Sequence, residues 1–246
     1  MKISLRNSKL NYVLIAFIAL WELASALSLI DPFFFSSPSR IVLLFIDMCK
    51  NFEIFIHTGI TLYETILSFL IVNILSILVS VIMLSFDHFS QIVEPYLVIL
   101  NSLPKSALAP LIIVWLGTGS KTIIVAGISV ALFGSIINLY TGFMQVDTEK
   151  RKLITTLGGS KKDQLTKVII PASIPIILSN MKVNIGLSLV GVIIGEFLAA
   201  RQGLGYLIIY SSQVFQLDML IMSIIILCMI ALLLYQSIDW LERKYH

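Results

Sequence analysis

The sequence predicts an all-α protein, a polytopic transmembrane helical bundle of about six spans forming one domain over residues 1–246. Composition is the first observation behind this. Hydrophobic residues make up 58% of the chain and charged residues 13%, with a mean hydropathy of +0.97. A soluble domain carries roughly 45–50% apolar and about 25% charged residues, so this much apolar surface needs lipid to cover it. The second observation is that the apolar residues fall into six segments, each long enough to cross about 30 Å of hydrocarbon as a helix. The third is that alternating apolar/polar strands are absent, which leaves helices as the way to satisfy the backbone in lipid.

In chain order the segments are roughly Leu10–Ile30, Ile60–Leu84, Ile92–Leu116, Thr122–Phe143, Leu178–Ala200 and Val214–Leu234. Lys2, Arg6 and Lys9 precede the first, and Ala24-Ser25-Ala26 resembles a signal-peptide cleavage site, yet six spans fit the charge pattern without cleavage. Between the first two spans, Pro32 and Pro38 break the chain, and Ile41–Ile56 reads as an amphipathic surface helix. Pro95, Pro104 and Pro110 interrupt the third span.

Lys and Arg in the loops set the orientation. With the N-terminus inside, that face gathers Lys2, Arg6, Lys9, Lys150, Arg151, Lys152, Lys161, Lys162, Lys167, Arg243 and Lys244, against Arg40, Lys50, Lys121 and Arg201 outside. The expected location is a bacterial plasma (inner) membrane, multi-pass, with both termini cytoplasmic.

Several function classes are excluded. The net charge of +3 comes without a basic stripe interleaved with aromatics, so no nucleic-acid partner is expected. Cys49 and Cys228 have no CxxC spacing and make neither a zinc site nor a disulfide framework. Gly117–Thr122 reads GTGSKT, but Ser120 separates Gly119 from Lys121, so the adjacent Gly-Lys-Ser/Thr of a phosphate loop is missing. His57, His88 and His246 are scattered, with no nucleophile constellation. The chain is therefore not expected to be an enzyme or to hold a cofactor or metal.

The strongly polar stretch between spans lies within residues 144–171, a loop placed on the cytoplasmic side. It predicts a helix over Thr148–Leu157 ended by Gly158-Gly159. A second helix starts at the N-cap Ser160, with Asp163 in the capping-box position, and stops before Pro171. Such an element suits docking on a soluble partner; its basic residues equally suit contact with anionic lipid. Within the spans, Lys105 is a candidate for an anionic substrate, for pairing with Glu94, or for reaching the interface. Glu196 is a candidate for the path or gate, or for pairing with Arg201, while Glu22 and Glu64 sit in or at the edge of the first two spans. Gly186, Gly191 and Gly195 allow the fifth span to approach another helix, within the bundle or in a second copy.

The loop resembles the cytoplasmic signature of ATP-binding-cassette (ABC) importer permeases, which runs EAA, three residues, Gly, nine residues, Ile, any residue, Leu-Pro. Aligned on Gly158, the later positions fall on Val168, Ile170 and Pro171, while the EAA positions are occupied by Lys152, Leu153 and Ile154. The chain also resembles the nitrate/sulfonate/taurine-type branch. The residues are Ser37-Pro38-Ser39, then Pro95, Pro104, Pro110 and Trp115-Leu116-Gly117-Thr118-Gly119, then Asp147, Gly158, Pro171, Pro175, Glu196 and Gly203-Leu204-Gly205.

The resemblance implies a type I importer permease that forms a path for a small solute: a sulfonate, nitrate or similar anion, or a vitamin precursor. It implies a cytoplasmic ABC ATPase dimer that uses ATP, an extracellular or periplasmic solute-binding protein, and a second permease copy, as a homodimer. Coupling to the ATPase would involve Leu153, Ile154, Leu157, Gly158, Gly159, Val168, Ile170 and Pro171. The alternative is an ion-coupled secondary transporter, though inverted repeats and paired midplane carboxylates are not evident.

Overall fold

The computed structural model describes residues 2–245. The side chains of Lys2, Arg6 and Lys9, and His246 as a whole, lie outside the described residues. Every regular element among them is a helix. The chain begins with α1 (Lys2–Ala26), whose apolar stretch is Ile15–Ala26. Two short elements follow, α2 (Pro32–Phe35) and α3 (Pro38–Lys50), capped by the side chains of Asp31 and Ser37, each with proline in the first turn, where its missing N–H costs nothing. The surface helix expected over Ile41–Ile56 stops early. Phe52 adopts a left-handed φ of 61° and turns the chain into α4 (Glu53–Ser85), so Ile54 and Ile56 belong to the next span.

The third expected span is not one helix. It is α5 (Asp87–Ser102) and α6 (Lys105–Leu116), bent by 98° at Leu103-Pro104. Leu103 is extended (ψ 139°), as a residue before proline tends to be, and Pro104 opens the second helix. Pro95 and Pro110 stay inside their helices. After α7 (Ser120–Met144) come α8 (Thr148–Thr156) and α9 (Lys161–Gln164). A wide π turn over Leu165–Ile169 then leads into α10 (Ile170–Ala172). Pro171 is thus helical, in the first turn of α10, and the break falls at Ser173 instead. The chain ends with α11 (Ile174–Ala199), α12 (Leu204–Gln213) and α13 (Leu217–Tyr245).

Among the described residues, α4, α7, α11 and α13 are long and apolar enough to cross a membrane, and the α5–α6 pair makes a fifth candidate span. Contacts sort the helix ends into two groups. At one end the Gly119 N–H donates to the Ala199 carbonyl (3.2 Å) and the Gly203 N–H to His57 Nδ1 (2.9 Å). That end gathers the starts of α4, α7 and α12 with the finish of α11. At the other end Ser85 and Asp87 border the same cleft as Arg151 and Lys161, and Lys182 of early α11 pairs with Asp239 (2.5 Å) and Glu242 of late α13. The α8–α10 stretch and the finish of α13 therefore share one end. The α5–α6 pair carries the chain from that end back to the other despite its bend.

The bundle centres on α4, α7 and α11. A Cβ on Gly191 would lie 2.8 Å from Gly127 Cα and 2.9 Å from the Ala126 carbonyl oxygen, and one on Gly195 would lie 3.0 Å from Ile123 Cα. Two backbones meet there, the close approach that small residues permit in lipid. Gly191 and Gly195 are thus used inside the chain, whereas Gly186 has open space around it. Polar side chains complete the seam. Asn184 donates to Asn73 Oδ1 and Ser135 Oγ (both 2.9 Å), Asn180 to Ser135 Oγ (2.7 Å), and Ser80 to the Ile136 carbonyl (3.0 Å).

Gly191→Val is expected to lower stability by about 2 kcal/mol, because backbone atoms cannot yield to the added methyls. Gly186→Val is expected to stay within about 0.5 kcal/mol of the parent. Thermal unfolding of the two purified variants in detergent distinguishes them, and equal behaviour would rule out this packing.

Candidate coupling element and translocation path

The loop between α7 and α11 is organised by local hydrogen bonds. Asp147 caps α8 by accepting from the Glu149 N–H (2.8 Å). The chain then reverses at Gly158, whose φ of +81° is a left-handed conformation that suits glycine. Gly159 follows under steric constraint, since a Cβ there would sit 2.5 Å from Ile154 Cγ2 and 2.9 Å from the Ile154 carbonyl oxygen. Ser160 and Asp163 form the expected capping box. The Asp163 N–H donates to Ser160 Oγ (3.2 Å), and the Ser160 N–H and hydroxyl donate to Asp163 Oδ2 (2.9 and 2.6 Å).

Lys167 adds an ion pair to Asp163 at 2.7 Å. The Lys167 ammonium, with the Ser160 hydroxyl and N–H, holds the Asp163 carboxyl well below the usual carboxylate range. Gln164 Nε2 donates to Thr155 Oγ1 (2.7 Å) and ties α9 back to α8. The result is a braced hairpin of two short helices.

The structure divides the coupling residues read from sequence into a tip and a root. Leu153 (58% exposed), Leu157 (73%) and Gly158 form the tip. Ile154 is half-buried beneath Gly159. Val168 packs with Leu139, Phe143 and Val146 of the α7 end, beside Ile77, Val81 and Leu84 of α4. Ile170 is half-buried and Pro171 exposed. The residue that anchors the hairpin is Ile169, 2% exposed in that cluster, which the motif does not single out. Its neighbours in the sequence are equally apolar, so only the tertiary contact identifies it.

Lys105 begins α6 at the bend. Its ammonium donates to the Leu100 carbonyl at the end of α5 and lies 5.0 Å from the centre of the Phe133 ring. The side chain is half-buried and forms no ion pair with Glu94 among the described residues. It thus spans the break, compensating carbonyls the bend leaves free.

Glu196 sits at the opposite end from the hairpin, fully buried. Arg201 is not its partner. The Glu196 carboxylate instead accepts from Thr61 Oγ1 (2.7 Å) and from the Gly205 N–H (2.5 Å), and Thr61 Oγ1 in turn accepts from the Leu204 N–H (2.8 Å). Cβ atoms on Gly203 or Gly205 would fall within 2.7 Å of its carboxylate oxygens, so only glycine lets that loop close on the carboxylate. Glu64, also fully buried, borders a cleft of about 520 Å³ with Thr118, Ser120, Arg201 and Gln202. Thr61 and His57 were not legible from sequence, because α4 contributes them from more than a hundred residues away.

Glu22 is also placed. It receives the Ser39 N–H (3.0 Å) and hydroxyl (2.8 Å), and so fastens α1 to the start of α3. Arg40 pairs with Asp218 (2.8 Å) and fastens α3 to α13.

Comparison with known proteins agrees with this architecture. Residues 73–246 match the family described as binding-protein-dependent transport system inner membrane component. A Haemophilus influenzae protein named "Probable ABC transporter permease protein" is 30% identical over 92% of this chain and 91% of its own length. The formylaminopyrimidine transport permease protein ThiX of Halalkalibacterium halodurans is 27% identical over 91% of this chain and 89% of its own. In fold, the chain is similar to the inward-facing methionine ABC transporter MetNI, with a TM-score of 0.68 and 17% identity over 76% of this chain and 94% of that one. These matches do not favour an ion-coupled secondary transporter. The chain belongs to the binding-protein-dependent transport system inner membrane components, and is a permease subunit of an ABC importer.

Proposed function

We propose that two copies of this chain enclose a path for a small anion or vitamin precursor, driven by a cytoplasmic ATPase dimer and supplied by an external solute-binding protein. The observation that carries this reading is the two-part hairpin. Its exposed apolar tip, Leu153 and Leu157, is suited to a groove on the ATPase. Its root, Ile169, is locked between the ends of α4 and α7. A push on the tip reaches those spans because a close-packed cluster moves as a body rather than deforming. ATP is used by the partner; this chain contributes levers and walls. Differential binding of the ATPases to the two conformations shifts the population from inward- to outward-facing.

Lys105 is the proposed contact for an anionic solute. It is a cation at a broken helix, and a charge within a span is by default a functional candidate. The proposed outer gate is the closure of the 203–205 loop over Glu196, which joins α4, α11 and α12. The anion class rests on the sequence motifs of the nitrate/sulfonate/taurine-type branch. The vitamin-precursor class is supported by those motifs and by the ThiX relative.

Two experiments test this. Gly158→Val places a β-branched residue at φ +81° and should tilt the tip away from its partner. Solute uptake should fall at least tenfold while the amount of protein in the membrane stays unchanged; undiminished uptake rejects the hairpin as the coupling element. Glu196→Ala strands the Thr61 hydroxyl and the Gly205 N–H, at a cost of about 1–3 kcal/mol for each buried group. Glu196→Gln keeps one acceptor and should lose less. Thermal unfolding should rank parent above Gln above Ala, and an unchanged Ala variant would remove Glu196 from the gate.

A further inference from the structure

We propose that the cleft between the end of α4 and the α8–α9 hairpin binds the phosphate headgroup of an anionic phospholipid. The cleft has a volume of about 540 Å³ and two unlike walls. Leu84 and Phe86 supply an apolar wall at the end of a spanning helix, and Phe86 is largely exposed. Arg151, Lys161 and Lys162 supply a basic one.

Two features make these cations a site rather than a solvated surface. First, none of the three enters an ion pair among the described residues, although Lys167, Lys182, Arg40 and Arg243 all do. Asp163, the acid next to Lys162, is already committed to Ser160 and Lys167. Among the described residues Asp87 is the one acid lining the cleft, so three cations face one carboxylate. Second, these charges lie where an apolar helix ends. A guanidinium and two ammonium groups there match a phosphodiester, the arginine in bidentate fashion. The adjoining Leu84 and Phe86 match the first carbons of an acyl chain. A soluble anion would use the cations and leave the apolar wall bare, so the mixed lining favours a lipid.

This assignment does not depend on the transport reading, because it concerns lipid retention rather than flux. The test is native mass spectrometry of the purified permease and of its ATPase-bound complex, both taken from mixed phosphatidylglycerol and phosphatidylcholine micelles. Phosphatidylglycerol should be retained on the order of tenfold over phosphatidylcholine. The Arg151→Gln/Lys161→Gln/Lys162→Gln variant should bring the two lipids to parity. Lys150→Gln/Lys152→Gln, which removes two charges flanking Arg151 on α8 but none from the cleft, should keep the preference. Asp87→Asn should strengthen it.

Four results would overturn the proposal. They are no preference in the parent, equal loss in both multiple variants, and displacement of the lipid by excess inorganic phosphate, which would assign the cleft to a soluble anion. The fourth is a preference confined to the free permease, which would assign the cationic wall to the ATPase.

Discussion

Hydrocarbon offers neither water to satisfy a polar group nor a hydrophobic gain for pressing one apolar helix against another. Helices in this protein must therefore be joined by close packing and internal hydrogen bonds, and both are concentrated where α7 crosses α11. Gly191 stacks on Gly127 at backbone distance, and Ser68 of α4 fills the remaining angle, its oxygen 2.6 Å from where a Gly127 Cβ would be. Along the same seam the amides of Asn180 and Asn184 both donate to Ser135, and Asn184 also donates to Asn73. Replacing either glycine forces the backbones apart and pulls the amides out of reach. The packing and the polar network are thus one constraint, not two.

That seam sets the geometry of both ends. Because α4, α7 and α11 are fixed at mid-height, their starts and finishes arrive in register. Thr61 and Glu196 meet at one end, and the α4 and α7 tails form a socket for Ile169 at the other. The Glu196–Thr61–Gly205 closure is built from a carboxylate, a hydroxyl and a backbone N–H. These can exchange partners without leaving a hydrophobic surface torn open, which suits the proposed outer gate.

The sequence was most legible where the chemistry is local. The spans follow from runs of apolar residues, and Gly158, Ser160 and Asp163 mark the hairpin because turn and cap geometry depend on residues within four positions. Legibility failed where the outcome depends on distant atoms. Of three prolines in the third apolar segment, only Pro104 breaks it, while Pro95 and Pro110 sit inside continuous helix. The residues around each proline do not rank them. Pro171 was expected to stop a helix, yet the π turn before it lets proline open a new one, where its missing N–H is harmless. For Glu196 the nearby charge, Arg201, was the obvious partner. The structure chose a threonine 135 positions away and a backbone N–H, because neutral donors can be buried at lower cost than a second ion.

The same division between local and distant explains how the hairpin departs from the permease signature at Lys152, Leu153 and Ile154 without losing its form. Its shape comes from the left-handed Gly158, the Gly159 contact with Ile154, the capping box and the Ile169 anchor. None of these needs an acidic or small residue at the start of the motif. Lys152 and Leu153 lie on the exposed side of α8, where they alter what a partner meets but not how the helix is held. The lever and the surface it presents are therefore separable. In the proposed coupling element, the glycine hinge and the buried root can therefore be kept while the contact residues change to suit a different partner surface.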